Sequence, residues 1–187
     1  MRQLYEAFQP VIPVFILLFI LVIAMTLIIH RKSGYRLDTM RKRMDFLLYL
    51  GLMMTIIGIL LLTLLPSSNP EKVTQFIPFY SIIDTFEYAT DYAIINSIGM
   101  NILLFVPLGM FLYIFTKSEF LTTVLACLFS IFIEFLQYVL PIGRISNVDD
   151  VILNTVGGII GMILGLIFSK LGIVYYFFGA GKGNNKD

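Results

Sequence analysis

Four ionisable side chains lie within or beside strongly apolar segments in the second half of the chain. Glu134 lies inside an apolar run, and Arg144, Asp149 and Asp150 follow in a short polar turn before the next apolar run. A carboxylate in a membrane span costs about 2.5–3.5 kcal/mol by insertion scales unless it has a partner. Arg144 is the nearest partner in sequence, so we predict that the two lie within about 4 Å of each other or are bridged by one group.

Polar side chains accompany these charges at helical spacing. Ser130, Glu134 and Gln137 are spaced i, i+4, i+7, which places them on one face of a helix. Asp150 and Asn154 share a face of the next helix in the same way. The sequence therefore predicts a polar cluster at one membrane depth, formed by Asn101, Glu134, Gln137, Arg144, Asp149, Asp150 and Asn154.

Several kinds of chemistry are open to such a cluster. Carboxylates with amides can hold a hard cation, and an arginine with flanking donors can bind a phosphate or a carboxylate. Glu134 is the candidate catalytic residue, as an acid/base or a proton relay. The structural alternatives are an ion pair between Glu134 and Arg144, hydrogen bonds that hold helices together, and a helix cap at Asp149 and Asp150.

Other sites are excluded by composition. His30 is the only histidine and lies at the end of a different span, which rules out a Ser/His/Asp triad in the cluster. Cys127 is the only cysteine, so the chain has neither an intrachain disulfide nor a CxxC motif. We expect no metal centre, no cofactor and no nucleic-acid partner, and the oligomeric state stays open.

The elements that must position these residues are membrane helices. The 187 residues are 58% hydrophobic and only 13% charged, whereas soluble domains carry about 25% charge. This composition predicts an all-α polytopic membrane protein with a single domain over residues 1–187. Its fold would be a bundle of about five transmembrane helices with an outward-facing polar pocket. The five predicted spans are Val11–Ile29, Phe46–Leu65, Ala93–Phe115, Phe120–Leu140 and Val151–Ser169.

The placement of basic residues predicts the orientation. The loop at residues 31–44 is the most basic, and with this loop in the cytoplasm all but three of the 13 Lys and Arg lie inside. The three outside are Arg2, Lys72 and Arg144. Because Lys and Arg favour the cytoplasmic side, we predict an outside N-terminus and a cytoplasmic C-terminus. The polar cluster would then lie at the outer leaflet.

Two further segments have distinctive patterns. Residues 76–86 are too apolar for a free loop, and we predict that they lie on the membrane surface or fold back over the helices. Gly157, Gly161 and Gly165 form a repeated small-xxx-small pattern on the face that also carries Asp150 and Asn154. This pattern lets another helix approach closely, so we predict that it packs against a helix of the same chain.

The motifs together resemble the VanZ-like family, the membrane proteins associated with teicoplanin resistance. The resemblance covers residues 63–165, including Thr63–Pro66 and Ile77–Phe79, and Asn147 stands where the family pattern has an Asp. The remaining matching positions are Asn101, Phe105, Pro107, Gly109, Glu134, Gln137, Arg144, Asp150, Asn154, Gly157 and Gly161.

The resemblance implies a multi-pass protein of a bacterial cytoplasmic membrane. It also implies low-level resistance to lipid-bearing glycopeptides, so the expected partner is a membrane lipid or an amphiphilic glycopeptide, bound at the outer leaflet in resistance or in envelope homeostasis. Two alternatives from other classes remain: a membrane enzyme acting on a phosphorylated lipid with Glu134 as acid/base, and a small ion- or proton-coupled carrier. Whether any reaction is catalysed is left open.

Overall fold

The computed structural model describes residues 40–66 and 74–171, together with positions 13, 16, 17, 20 and 22–24. These isolated positions are helical, but most of the first predicted span, Val11–Ile29, lies outside the described residues. The basic loop at residues 31–44 is likewise described only from Met40 onwards.

The described elements are almost all helical. They are α1 (Met40–Leu64), β1 (Thr74–Gln75), α2 (Tyr80–Tyr88), α3 (Asp91–Ile94), a π-helical turn (Ile95–Gly99), α4 (Met100–Thr116), α5 (Glu119–Val139), β2 (Ser146–Asn147) and α6 (Val148–Lys170).

Within the described residues, four helical segments are long and apolar enough to cross a membrane: Lys42–Leu64, Ser97–Thr116, Glu119–Val139 and Val148–Lys170. These segments match four of the five predicted spans. The chain is therefore an all-α, multi-pass membrane protein, as predicted, and the predicted count of about five is consistent with the four seen.

The contacts divide the chain into two units. One comprises residues 1–62 and 170–187, and the other comprises residues 63–169. The motif region at residues 63–165 falls inside the second unit. That unit contains the end of α1, the short segments up to the π turn, and helices α4 to α6. A single domain over residues 1–187 stays a prediction.

The third predicted span differs from a uniform α-helix. It opens with the short helix α3 and passes through the π turn before α4 begins at Met100. A π turn adds a residue to one helical turn and so changes which side chains share a face. Asn101 lies two residues after the π turn. A constant helical period therefore does not predict which side chains at the start of the span share its face.

The glycine stripe of α6 packs against α4, which confirms the prediction of close packing within the chain. A Cβ atom on Gly157 would overlap the carbonyl of Ile102, and one on Gly161 would overlap the carbonyl of Val106. Gly109 of α4 faces the backbone of Gly158 in the same way. The two backbones are therefore in direct contact, which sets the depth of α6 relative to α4.

The opposite end of α4 connects to α5 through a tight turn. Lys117 adopts a left-handed conformation, and Ser118 is the N-cap of α5, where its hydroxyl accepts the N–H of Leu121. The Lys117 ammonium donates to Ser169 at 3.3 Å, and partial burial lowers the pKa of this lysine. Lys117 and Ser169 are separated from Glu134 and Asp150, respectively, by most of the length of α5 and α6.

Candidate functional site

Glu134 connects α5 to the turn that precedes α6. One of its carboxylate oxygens accepts the backbone N–H of Asn147 at 2.7 Å, and its backbone carbonyl accepts the hydroxyl of Ser146 at 3.2 Å. Only 8% of Glu134 is exposed. This side chain therefore fixes β2 against the last turns of α5, which brings the polar turn over the end of the helix.

Asp149 holds the start of the surface helix α2. Its carboxylate accepts the backbone N–H of Phe79 with one oxygen and that of Ile82 with the other, the second at 3.0 Å. Phe79 is the N-cap residue of α2 and has a left-handed φ of 64°. Because the first N–H groups of a helix lack partners within it and carry partial positive charge, a carboxylate there acts as an N-terminal cap. Asp149 is fully buried and supplies this cap from another helix.

Asn147 caps α6 itself. The helix begins at Val148, and the Asn147 side-chain oxygen accepts the N–H of Asp149 at 3.0 Å. Asn and Asp are equally good N-cap residues. The position at which this chain departs from the family pattern therefore keeps a physical role that does not depend on negative charge.

Gln137 and Arg144 bind the carbonyl groups at the end of α1. The Gln137 amide donates to the carbonyl of Thr63 at 2.9 Å, and Arg144 Nε donates to that of Leu65 at 3.0 Å. The last carbonyls of a helix carry partial negative charge and favour a nearby cation. Burial lowers the pKa of the Arg144 guanidinium from its ordinary value.

Two polar contacts join helices α4, α5 and α6. The Asn101 amide of α4 donates to Asp150 of α6 at 2.9 Å. One turn deeper, the Asn154 amide of α6 donates to the Ser130 hydroxyl of α5 at 2.8 Å. The structure thus places all seven predicted site residues at one end of the unit, although their roles as binding residues stay a prediction.

Glu134 and Arg144, which the sequence predicts to be in contact, each have a described hydrogen bond to the backbone. In the part of the chain that the structure describes, the hydrogen bonds of Glu134 lead to β2 and that of Arg144 leads to Leu65. A direct ion pair between these two side chains is not among the described contacts. Each binds a backbone group of a different segment, and the contact between them, direct or bridged, stays a prediction.

Sequence reasoning did not find all partners of the cluster. Ser146 and Asn147 form a two-residue parallel ladder with Thr74 and Gln75 of β1. Such short strands have no periodicity that a sequence pattern can detect. The available signal was the resemblance itself, because its outlying pieces at residues 63–66 and 77–79 contain the backbone groups that bind Gln137, Arg144 and Asp149.

The surface beside the cluster is strongly apolar. Helix α2 exposes Tyr80, Ile83 and Phe86, each more than half accessible, and it has no buried residue. Phe76, just before it, packs its ring near that of Tyr138 with centroids 6.4 Å apart. An apolar, aromatic-rich helix of this kind is typical of a segment that lies in a membrane interface.

The chemical character of the site is set by buried oxygen atoms and backbone contacts. The described residues contain no group of three or more His, Cys, Asp or Glu side chains that could hold a metal ion. The arrangement combines two carboxylates, the buried Glu134 and the partly buried Asp150, with an apolar surface at the same end.

Together these features define a multi-pass helical membrane protein with a polar cluster at one end of its spans. The family model described as VanZ/LLP1 matches residues 46–169. The chain therefore belongs to the VanZ/LLP1 family. Neither the curated proteins nor the solved structures gave a match to this chain.

Proposed function

We propose that this chain is a bacterial accessory protein of the cytoplasmic membrane that engages a lipid headgroup or an amphiphile at the outer leaflet. Its role would be in resistance to teicoplanin-type lipoglycopeptides or in envelope homeostasis. Membership of the VanZ/LLP1 family supports this class of function. The polar cluster would contact the headgroup, and the apolar surface beside it would contact the hydrocarbon part.

The observation that carries the proposal is the cap that Asp149 provides for α2. This buried carboxylate fixes an exposed aromatic helix immediately beside the charged residues of the cluster. An amphiphile has a polar head joined to an apolar chain, so it needs polar and apolar surfaces at adjacent positions. Because α2 is held by the same turn that contains Asp150, the two surfaces keep a constant separation.

The location at the outer leaflet rests on charge placement. The cluster lies at the end of the unit opposite Lys117, where few basic residues occur in the sequence. Lys and Arg concentrate on the cytoplasmic side of bacterial membrane proteins. The outer leaflet is also where a glycopeptide that acts on the cell envelope is available for binding.

The described contacts favour binding over acid/base catalysis. One oxygen of Glu134 accepts the Asn147 N–H, and Arg144 Nε donates to a backbone carbonyl. These bonds fix both side chains to the protein backbone. A catalytic acid/base must reach the proton that it transfers, whereas a recognition group has only to keep its position.

Drug susceptibility in a bacterial host tests the proposal. We expect the wild-type chain to raise the minimum inhibitory concentration of teicoplanin and to leave that of a glycopeptide without a lipid tail unchanged. Glu134→Gln should reduce this protection by more than it lowers the amount of protein in the membrane. The matched control is Glu119→Gln, since Glu119 is an exposed residue at the far end of the same helix.

Two results would contradict the proposal. Equal protection against glycopeptides with and without a lipid tail would show that the protein does not recognise the lipid tail. Activity and abundance that fall in proportion in Glu134→Gln would assign Glu134 to folding alone.

A further inference from the structure

The polar cluster has carboxylates on two facing helices at the same level. Asn154 of α6 bonds to Ser130 of α5, and these antiparallel helices continue toward the cluster end. One turn further along each helix stand Asp150 and Glu134. Two carboxylates in a low-dielectric setting repel each other and therefore favour a positively charged group nearby.

Two buried acceptor atoms on the polar faces of α5 and α6 have no hydrogen-bond partner within the described residues. They are Oε1 of Gln137 and Oδ1 of Asn154, whose side chains are only 7% and 3% exposed. Gln137 lies on the face of α5 that carries Glu134, and Asn154 lies on the face of α6 that carries Asp150. Buried acceptors without a donor are costly, so each atom indicates a missing donor. Gln137 lies seven residues beyond Ser130 on α5, about 10 Å along the helix, so a group that reaches Asn154 does not also reach Gln137.

Within the cluster, the carboxylates of Glu134, Asp149 and Asp150 outnumber the single cation, Arg144. Asp84 and Glu87 are exposed on α2, whose N-terminus is held by Asp149. The Arg144 guanidinium donates through Nε to the end of α1. A phosphate or carboxylate ligand would add acceptors to a place where acceptors already predominate, whereas a donor-bearing cation would match it.

We propose that the cluster binds the primary ammonium group of an amphiphile, with Glu134 and Asp150 as the charged acceptors and Asn154, one turn deeper, as the neutral one. This proposal rests on the proposed function and names the chemistry of its ligand. An ammonium group has three N–H donors and no acceptor, so it satisfies an acceptor-rich site. The apolar chain of the same molecule would lie on the exposed side chains of α2. The amine can belong to a lipid headgroup or to a lipoglycopeptide.

Native mass spectrometry of the full-length protein, purified in non-ionic detergent, measures this preference. The lipid probes are phosphatidylethanolamine, phosphatidylcholine and phosphatidylglycerol with identical acyl chains. Phosphatidylcholine keeps the positive charge but has no N–H donor, and phosphatidylglycerol has no cation. The drug probes are an amine-bearing lipoglycopeptide and its N-acetylated form.

We expect a primary amine to bind at least about tenfold more tightly than its matched probe, as one charge-assisted hydrogen bond would give. Preference for phosphatidylethanolamine among the lipids indicates a headgroup ligand, and preference for the free amine of the lipoglycopeptide indicates the drug. Either preference supports the proposal.

Two variants connect the preference to the cluster. Glu134→Gln keeps an oxygen for the Asn147 N–H, and Asp150→Asn keeps an oxygen for the Asn101 amide, so both should fold. Each should lower binding of the amine probes at least about tenfold and leave binding of phosphatidylglycerol unchanged. Glu119→Gln should bind all probes as the wild type does.

The outcomes separate the two proposals. If none of the probes binds to the protein, the proposed function itself is contradicted. Equal binding of amine and non-amine probes would leave amphiphile binding in place and overturn the ammonium site. Thermal protection by Ca²⁺ alone, lost in Glu134→Gln and without any amine preference, would assign the site to an inorganic cation and would also overturn it.

Discussion

The carboxylate of Asp149 stabilises a helix that lies about 70 residues earlier in the chain. We predict that Asp149→Ala lowers the free energy of unfolding by about 1.5–3 kcal/mol, because it leaves the N–H groups of Phe79 and Ile82 without their charged acceptor. Asp149→Asn should have about half this effect, since its single oxygen can accept only one of the two. Thermal unfolding, followed with a thiol-reactive dye at the only cysteine, Cys127, measures both changes.

Asp84 provides the comparison for this experiment. It is exposed on α2 itself, so Asp84→Ala should change stability by less than about 0.5 kcal/mol. Equal melting temperatures for Asp149→Ala and the wild type would mean that the cap contributes nothing to stability.

A second prediction at the residue scale concerns Asn147. Its side chain accepts the N–H of Asp149 as the N-cap of α6. Asn147→Ser should therefore retain most of the stability, whereas Asn147→Ala should lose about 0.5–2 kcal/mol. The same dye-based melting curves measure the difference. If the two substitutions are equally harmful, the amide has a role other than capping.

At the scale of elements, the contact between α4 and α6 leaves no space for a methyl group. A Cβ on Gly161 would overlap the carbonyl of Val106, whereas one on Gly165 would lie 3.0 Å from the carbonyl of Met110. We predict that Gly161→Ala reduces protein abundance and stability much more than Gly165→Ala does. Gly161→Leu should also abolish activity, because separated backbones displace Asn154 from Ser130.

The control is Ile160→Leu on the exposed side of α6, which should be tolerated. Membrane abundance by immunoblot, together with melting temperature and drug susceptibility, gives the ranking. A Gly161→Leu variant with near-normal abundance and activity would mean that the glycine stripe does not determine the position of α6.

The sequence predicted the elements that depend on local pattern. Four spans were located within a few residues because apolar length is a direct requirement of the bilayer. The glycine stripe also predicted close packing, since small residues at a spacing of four have few other uses in membrane helices. The identity of the partner, α4, required the structure, because several helices could have filled that place.

The details of the polar cluster were less predictable. The charges of Asp149 and Asp150 indicated a cap for their own helix, but Asp149 caps α2 and Asp150 binds Asn101. Both contacts join segments separated by many residues, and sequence spacing carries no information about them. The described hydrogen bonds of Glu134 and Arg144 both lead to backbone groups, which sequence spacing does not indicate.

At the scale of the whole molecule, charge placement predicts the orientation. Reporter fusions after Lys42 and after Lys186 should report the cytoplasm, and a fusion after Lys72 should report the outside. This pattern follows from the basic loop at residues 31–44 and from the scarcity of Lys and Arg on the other side. The reverse pattern would place the polar cluster at the inner leaflet and would contradict the proposed binding of an extracellular amphiphile.

The parallel pairing of β1 with β2 has a consequence for how the protein is made. Synthesis begins at the N-terminus, so Thr74–Gln75 and α2 leave the ribosome long before Ser146–Asn147 and Asp149 exist. Until the turn between α5 and α6 arrives, β1 lacks its pairing strand and α2 lacks its cap. Docking of this segment is therefore a late step of biogenesis, which follows insertion of the last helix pair. A nascent chain cut short before residue 146 would therefore keep its aromatic segment without its pairing strand and without its cap.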